Sequence, residues 1–265
     1  MLYRVLLCPP THYDIEYEIN PWMDITHKVD QKKVRAEYET LKQTYQKLGL
    51  EILEIEQKKG LPDMVYAANF GFPENNFFIK ANFKFAERKK EAELAKQYFT
   101  NLGFTIHELP ENVNWEGQGD LLKIGGKYFA GYGKRSDQKA KRYLEEILTG
   151  EIIDLELIDP YYYHLDTCFL PLNKQTVAIN PLSFTAEGLA KIAQNFTTVI
   201  KVSQEDNQLL ACNAVVVNKS IVVGKGISQQ LKTDFKNAGF VTEEVAMDEY
   251  RKGGGSVKCL TLKFY

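Results

Sequence analysis

Residues 31–55, QKKVRAEYETLKQTYQKLGLEILEI, set the pattern from which the fold is read. Val34, Tyr38, Leu41, Tyr45 and Leu48 recur three or four residues apart, so a helix over about 31–48 has one apolar face to bury. Gly49 supplies a left-handed stop, and Leu50-Glu51-Ile52-Leu53-Glu54-Ile55 then alternates as a partly buried strand does. The same order returns along the chain. Helical stretches at about 86–102 and 137–149 lead into Gly103-Phe104-Thr105-Ile106 and Gly150-Glu151-Ile152-Ile153, and two more follow near 184–195 and 228–238, the last before Gly239-Phe240-Val241-Thr242. Helix starts near 31, 86, 138, 184 and 228 are separated by about 55, 52, 46 and 44 residues, the spacing of one small β/α unit repeated five times.

Short strands are expected between the helices, at Val65-Tyr66, Lys127 to Gly131, Thr176 to Ile179, Ala214 to Val217 and Ser220 to Val223. No linker or low-complexity tract interrupts the series, which predicts a single α/β domain over 1–265. Polar clusters fall at matching phases of the units. Asp63 lies 14 residues after Gly49, Glu116 13 after Gly103, His164 14 after Gly150 and Cys259 20 after Gly239, while a less regular unit puts Asn213 after Val199-Ile200. Equivalent positions in repeats arranged around an axis converge, so an acid, an imidazole and a thiol far apart in sequence are expected in one site.

Composition narrows the function. With 265 residues, 44% of them hydrophobic, the chain can bury a large core. Lys and Arg total 33 against 35 for Asp and Glu, a net charge of −2 with no long basic run, so nucleic acid is not an expected partner. Met1 to Cys8 is too short for a secretory core and ends at Pro9-Pro10; it reads as a first strand. No run of roughly 18 apolar residues occurs, so no membrane span is expected. Cys8, Cys168, Cys212 and Cys259 are scattered without the paired spacing of a zinc site, which points to a reducing cytoplasm and no metal or other cofactor. The first three sit in apolar company as small hydrophobes.

Cys259 has unusual neighbours, Gly253-Gly254-Gly255-Ser256-Val257-Lys258 before it and the alternating Leu260 to Phe264 after it. The glycines free a backbone to turn sharply or approach a ligand; the plainer reading is a flexible turn before a terminal strand. In Tyr161-Tyr162-Tyr163-His164-Leu165-Asp166, a strand would point His164 and Asp166 the same way, letting the carboxylate orient the imidazole for acid/base work. Trp115-Glu116-Gly117-Gln118-Gly119-Asp120 places two acids in a glycine-relieved turn. Convergent carboxylates are costly without a cation, and a lone well-placed histidine does not make a zinc cage, so a substrate guanidinium is the natural guest. Carboxylates that keep the guanidinium nitrogens protonated make its central carbon electrophilic toward a thiol.

These motifs resemble the guanidino-group-modifying enzymes of the pentein, or amidinotransferase-like, superfamily, whose fold is a five-bladed α/β propeller of ββαβ units. The resemblance spans nearly the whole chain through Glu18-Ile19-Asn20-Pro21-Trp22-Met23, Leu61-Pro62-Asp63-Met64-Val65, Glu87-Arg88, Glu116-Gly117-Gln118-Gly119-Asp120, Tyr163-His164-Leu165-Asp166-Thr167-Cys168, Ala211-Cys212-Asn213-Ala214 and Gly253 to Cys259. It implies Cys259 as nucleophile, His164 as general acid and then base, and Glu116 with Asp166 as guanidinium-binding carboxylates. Asp63 and Asp120 join them on the substrate side. It further implies Arg88 and Arg135 as clamps for a substrate α-carboxylate and Asn20 on a mobile entrance segment.

Tyr66-Ala67-Ala68-Asn69 bears on substrate choice. Dimethylarginine dimethylaminohydrolases and arginine deiminases usually carry Asp at the place of Asn69, whereas a Thr-Ala-Asn segment marks bacterial arginine dihydrolases; here Ala67 replaces the threonine. A neutral amide can both donate to and accept from a urea. The expectation is a cofactor-free hydrolase of arginine giving citrulline and then ornithine, with dimethylarginine hydrolysis, amidino transfer and a non-catalytic binding module as rivals. A homo-oligomer is compatible with everything read here.

Overall fold

The computed structural model describes residues 4–265, so Met1, Leu2 and Tyr3 of the expected first strand lie outside the described residues. The first unit opens with β1 (Arg4–Leu7), continues through α1 (Gln31–Lys47) and returns in β2 (Glu51–Glu54). Asp30 caps α1 by accepting from the backbone N–H groups of Lys32 and Lys33 at 3.0 Å. Gly49 follows at φ 80°, a conformation that glycine adopts without a Cβ penalty. The apolar face of α1, Val34, Tyr38, Leu41 and Tyr45, is buried against Val5, Leu7, Val245 and Tyr250.

Four further units repeat this plan with a hairpin in front: β3 (Gly71–Glu74), β4 (Phe77–Lys80), α2 (Ala86–Asn101) and β5 (Thr105–Glu108); then β6 (Leu121–Ile124), β7 (Lys127–Tyr132), α3 (Ala140–Ile147) and β8 (Ile152–Glu156). The fourth runs through β9 (Phe169–Pro171), β10 (Thr176–Ile179), α4 (Ala186–Asn195) and β11 (Thr198–Lys201), followed by α5 (Gln204–Gln208). The fifth has β12 (Val215–Val217), β13 (Ser220–Gly224), α6 (Gln229–Asn237), β14 (Val241–Val245) and α7 (Asp248–Arg251), and the chain ends with β15 (Leu262–Lys263).

Five three-stranded sheets result. In four of them the middle strand pairs antiparallel with its hairpin partner and parallel with the strand beyond the helix, as β4 does with β3 (Phe72↔Ile79) and β5 (Ile79↔His107). β15 supplies the missing antiparallel partner of β1 through Val5↔Lys263 and Leu6↔Leu262, so the last segment completes the first unit. The repeat predicted five β/α units, and they take the five-bladed ββαβ arrangement that the resemblance implies.

Between the outgoing strand of one unit and the hairpin of the next lie tight turns, and these differ from expectation. Val65-Tyr66 is not a strand: 3-10 turns cover Pro62–Val65 and Ala67–Phe70, started by a proline that has no N–H for a ladder. Residues 165–167 also form a 3-10 turn, because Thr167 bonds back to the His164 carbonyl through both its N–H (3.1 Å) and its hydroxyl (2.6 Å). The strand expected over 260–264 shrinks to β15, since Leu260 and Thr261 close a turn by donating to Ser256 and Lys258 carbonyls. The turns bond to one another around the ring. Ala68 N–H donates to the Cys259 carbonyl at 3.0 Å, Lys263 N–H to Gln118 Oε1 at 2.9 Å, and Asn213 Nδ2 to the Asp166 carbonyl at 3.1 Å. Distant segments are thereby drawn to one centre.

Candidate active site

Cys259 is held by Asn213. The Asn213 Oδ1 accepts from the Cys259 N–H at 3.0 Å and the Ser256 N–H at 2.9 Å, and its Nδ2 points at Cys259 Sγ at 3.0 Å. The triple glycine is a packed element rather than a flexible turn. A Cβ on Gly253 would fall 2.2 Å from Tyr66 Oη, and one on Gly255 2.4 Å from the Tyr66 ring, so the chain can pass under Tyr66 only as glycine. Asp166 faces the sulfur, with its oxygens 3.5 and 3.6 Å from Sγ. Burial pushes the thiol well above its ordinary range, and the Asp166 charge adds to the effect. Burial likewise raises Asp166 to about 7, with Lys258 opposing.

His164 meets Glu116, not Asp166. Its Nε2 lies 2.8 Å from Glu116 Oε2, while the 3-10 turn after His164 carries Asp166 to the thiol instead. The expected same-side pairing fails because it required a strand. Glu116 also accepts from Arg135 Nη1 at 3.1 Å. Burial disfavours its charge, but Arg135 and the imidazole overcome that and hold the Glu116 carboxyl far below the usual range. The other ring nitrogen, Nδ1, lies 3.5 Å from Asn69 Nδ2. Gly119 makes this approach possible, since a Cβ there would sit 2.3 Å from Asn69 Nδ2 and 3.1 Å from the imidazole.

Arg88 and Arg135 are buried ion-pair partners of carboxylates. Arg88 donates through Nε and Nη2 to Glu91 at 2.8–3.2 Å and through Nη1 to Asn69 Oδ1 at 2.9 Å, over the face of Phe83. Asp63 lies 4.0 Å from its Nε, and burial raises the Asp63 carboxyl against the pull of Arg88. Arg135 stacks on Tyr163 and donates to the Ile19 carbonyl at 3.0 Å. Asp120 does not face the thiol: it accepts from Ser136 Oγ at 2.6 Å and from Leu165 N–H at 3.0 Å, and so braces the turn that carries His164 and Asp166. Asn20 donates from Nδ2 to the Gly253 carbonyl at 3.1 Å and accepts on Oδ1 from Trp22 N–H at 2.9 Å. Cys259 and His164 are each 1% exposed.

Asn213 was visible in sequence only as a residue at the right phase. Glu91 carries no sequence signal beyond an i,i+3 pair with Arg88 on a helix, which resembles any surface pair. It is fully buried, and its loss would strand a buried guanidinium. Glu91→Ala is expected to lower unfolding stability by about 3–5 kcal/mol, measured by urea denaturation; a change below about 1 kcal/mol, the size of a surface pair, would refute that assignment.

No group of three or more His, Cys, Asp or Glu side chains among the described residues could hold a metal ion. No helix among them is long and apolar enough to cross a membrane.

The chain matches the family model of eukaryotic N,N dimethylarginine dimethylhydrolase over residues 11–265. It is 38% identical over 265 residues to the N(G),N(G)-dimethylarginine dimethylaminohydrolase of Mycobacterium tuberculosis, a match covering 99% of this chain and 86% of that protein. It is also 38% identical to the bifunctional arginine dihydrolase/ornithine cyclodeaminase ArgZ of Synechocystis, over 98% of this chain but 37% of that longer protein. Among solved structures, the N-terminal domain of ArgZ, as a cysteine-to-serine mutant bound to substrate, matches with a TM-score of 0.95 at 36% identity, over 98% of this chain and 97% of that one. With a thiol, an imidazole and paired carboxylates gathered at the centre of five blades, and with these relatives across its length, the chain belongs to the dimethylarginine dimethylaminohydrolase family of penteins, hydrolases of carbon–nitrogen bonds in linear amidines.

Proposed function

We propose that the chain hydrolyses the guanidinium of free arginine, first to citrulline and then to ornithine. The observation that carries this reading is the neutral Asn69 between Arg88 and His164, in a site whose other members suit guanidinium chemistry. The ArgZ match, an arginine dihydrolase by name, supports it. The guanidinium lies against Asp166 and Glu116, its positive charge offsetting the burial and the Asp166 charge that disfavour the thiolate. With substrate bound the thiol gives its proton to His164, and the sulfur forms a bond to the guanidinium carbon. One carbon–nitrogen bond breaks, and His164, held by Glu116, gives its proton to the departing nitrogen to form ammonia. His164 then takes a proton from water as the water oxygen bonds to the carbon of the thiouronium adduct, and the carbon–sulfur bond breaks. A second cycle on the ureido carbon releases a second ammonia and carbon dioxide. Arginine and two waters thus give ornithine, two ammonia and one carbon dioxide.

Dimethylarginine hydrolysis is the second reading, favoured by the family model and by the M. tuberculosis relative. It requires the same nucleophile and a pocket that accepts N-methyl groups, for which Ala67 and Ala68 leave room. Isotopically labelled arginine and asymmetric dimethylarginine, incubated separately with the protein and followed by mass spectrometry, separate the readings. Ornithine supports the dihydrolase, citrulline from the methylated substrate alone supports the second reading, and no product from either removes both.

The Asp166 charge sets an acid limb. Its carboxyl titrates near about 7 in the free protein and must be ionised to hold a cation. kcat/KM is therefore expected to fall below about pH 7, while the limb in kcat lies at lower pH because bound guanidinium favours the charge. An Asp166→Asn variant that kept the same kcat/KM limb would show that another group causes it.

A further inference from the structure

A second chamber, of about 320 Å³, lies against the nucleophile turn. No residue from 9 to 30, the stretch that includes Asn20, lines it. Two residues of the site reach it: Asp166, which faces Cys259, and Lys258, the residue before the nucleophile. The remaining wall comes from the hairpins β6–β7, β9–β10 and β12–β13 and from the last residues of the chain.

Its lining is rich in lysine. Lys123, Lys174, Lys258 and Lys263 line it, and Asp166 is the one acidic side chain among the described lining residues. Lys123 is paired with Glu74 at 2.6 Å. Lys258 is not so paired. It is 5% exposed, its ammonium donates to two neutral acceptors, Gln118 Oε1 at 3.3 Å and the Thr261 carbonyl at 3.2 Å, and no carboxylate among the described residues lies within 4.0 Å of it. A buried ammonium held by neutral acceptors retains a large desolvation cost, which an incoming anion relieves. Burial and the Lys258 charge also push Lys263 down to about 8, so a negative charge here favours both cations. Lys174 lies across the mouth, where a Cβ on Gly125 would meet its Cγ at 2.9 Å. Leu122, Phe169, Leu172 and Val216 give much of the rest of the wall an apolar face, beside Asn173 and Asn218.

We propose that this chamber is a regulatory binding site for a small carboxylate with a short apolar body, seated with its charge toward Lys258. The site goes beyond the catalytic reading and does not depend on which guanidinium is hydrolysed. Its effect on the active site follows from Asp166, shared by both. An anion beside Lys258 opposes ionisation of Asp166, so it weakens the grip on a substrate cation, and by linkage bound substrate weakens the anion. The carboxylate is thus an inhibitor that raises KM toward a plateau, whereas a competitor in the substrate site raises it without limit.

Isothermal titration of the substrate-free protein with acetate, propionate and butyrate at fixed ionic strength tests the site without any turnover. Saturable binding that strengthens from acetate to butyrate is expected. Lys174→Glu, an exposed substitution, is expected to weaken it at least tenfold, and Val216→Trp, which fills the chamber, to abolish it with the fold retained by circular dichroism. If Val216→Trp does not fold, Lys174→Glu decides. No saturable binding, binding unchanged in Lys174→Glu, or equal binding of inorganic phosphate, which lacks the apolar body, would overturn the proposal.

Discussion

Cys259→Ser is expected to reduce turnover by about 10⁴-fold or more while leaving the fold intact. A serine hydroxyl is far less acidic than a thiol, and the buried site next to Asp166 already disfavours an anion at this position. The guanidinium charge that offsets the cost of ionising the thiol in the proposed cycle is too weak an inducement for an alcohol. The fold survives because the anchoring bonds run to the main chain: Asn213 Oδ1 accepts from the N–H groups of residues 259 and 256, and neither bond involves the sulfur. Steady-state assays with labelled arginine and with dimethylarginine, alongside thermal melting, check both halves. A melting temperature within a few degrees and undetectable product is the expected pair, and the variant should still bind substrate by calorimetry. Activity within tenfold of the parent would remove the thiol from the mechanism and with it the covalent intermediate.

The five longer helices were legible because each buries one face of a 3.6-residue period; α1 was expected at about 31–48 and is found at Gln31–Lys47, whereas the short α5 and α7 were not expected. The convergence of the polar clusters was legible for the same reason, since equal phase in equal units means equal distance from the axis. What the clusters do to one another was less so. His164 and Asp166 looked like partners because two residues apart on a strand means one side, yet the backbone turns there and hands the two side chains to Glu116 and Cys259 separately. One bond that braces the turn, Asp120 accepting from Leu165 N–H, joins residues 45 positions apart and has no local periodicity. Arg88 shows a related gap. In sequence it is a charge on an amphipathic helix, and only burial against Glu91 and Asn69 distinguishes it from the exposed lysines next to it. Propensity and period describe one element at a time, whereas these contacts belong to several elements at once.

Asn69→Asp is expected to convert the product from ornithine to citrulline, with ornithine formation falling at least tenfold and arginine consumption changing much less. The substitution is nearly isosteric and keeps an oxygen for Arg88 Nη1, which now rests 2.9 Å from Asn69 Oδ1, so the local fold should hold. What changes is the side chain's other half. The Asn69 Nδ2 donates into the centre of the site, 3.5 Å from the imidazole, in the space that the missing Cβ of Gly119 leaves open. A carboxylate has no donor to replace it. Toward arginine the loss is offset, because a guanidinium presents only N–H donors and welcomes another acceptor of opposite charge. Toward citrulline it is not, because a ureido oxygen needs a donor and would meet a second acceptor in a buried site, an unpaired contact that costs about 1–3 kcal/mol, or roughly tenfold to a hundredfold in the second hydrolysis. Following both products over time from labelled arginine, and separately feeding citrulline, resolves the two stages. Citrulline that accumulates from arginine and is not consumed when supplied would fix Asn69 as the residue that admits a neutral second substrate; undiminished ornithine formation by the variant would move that role elsewhere in the site.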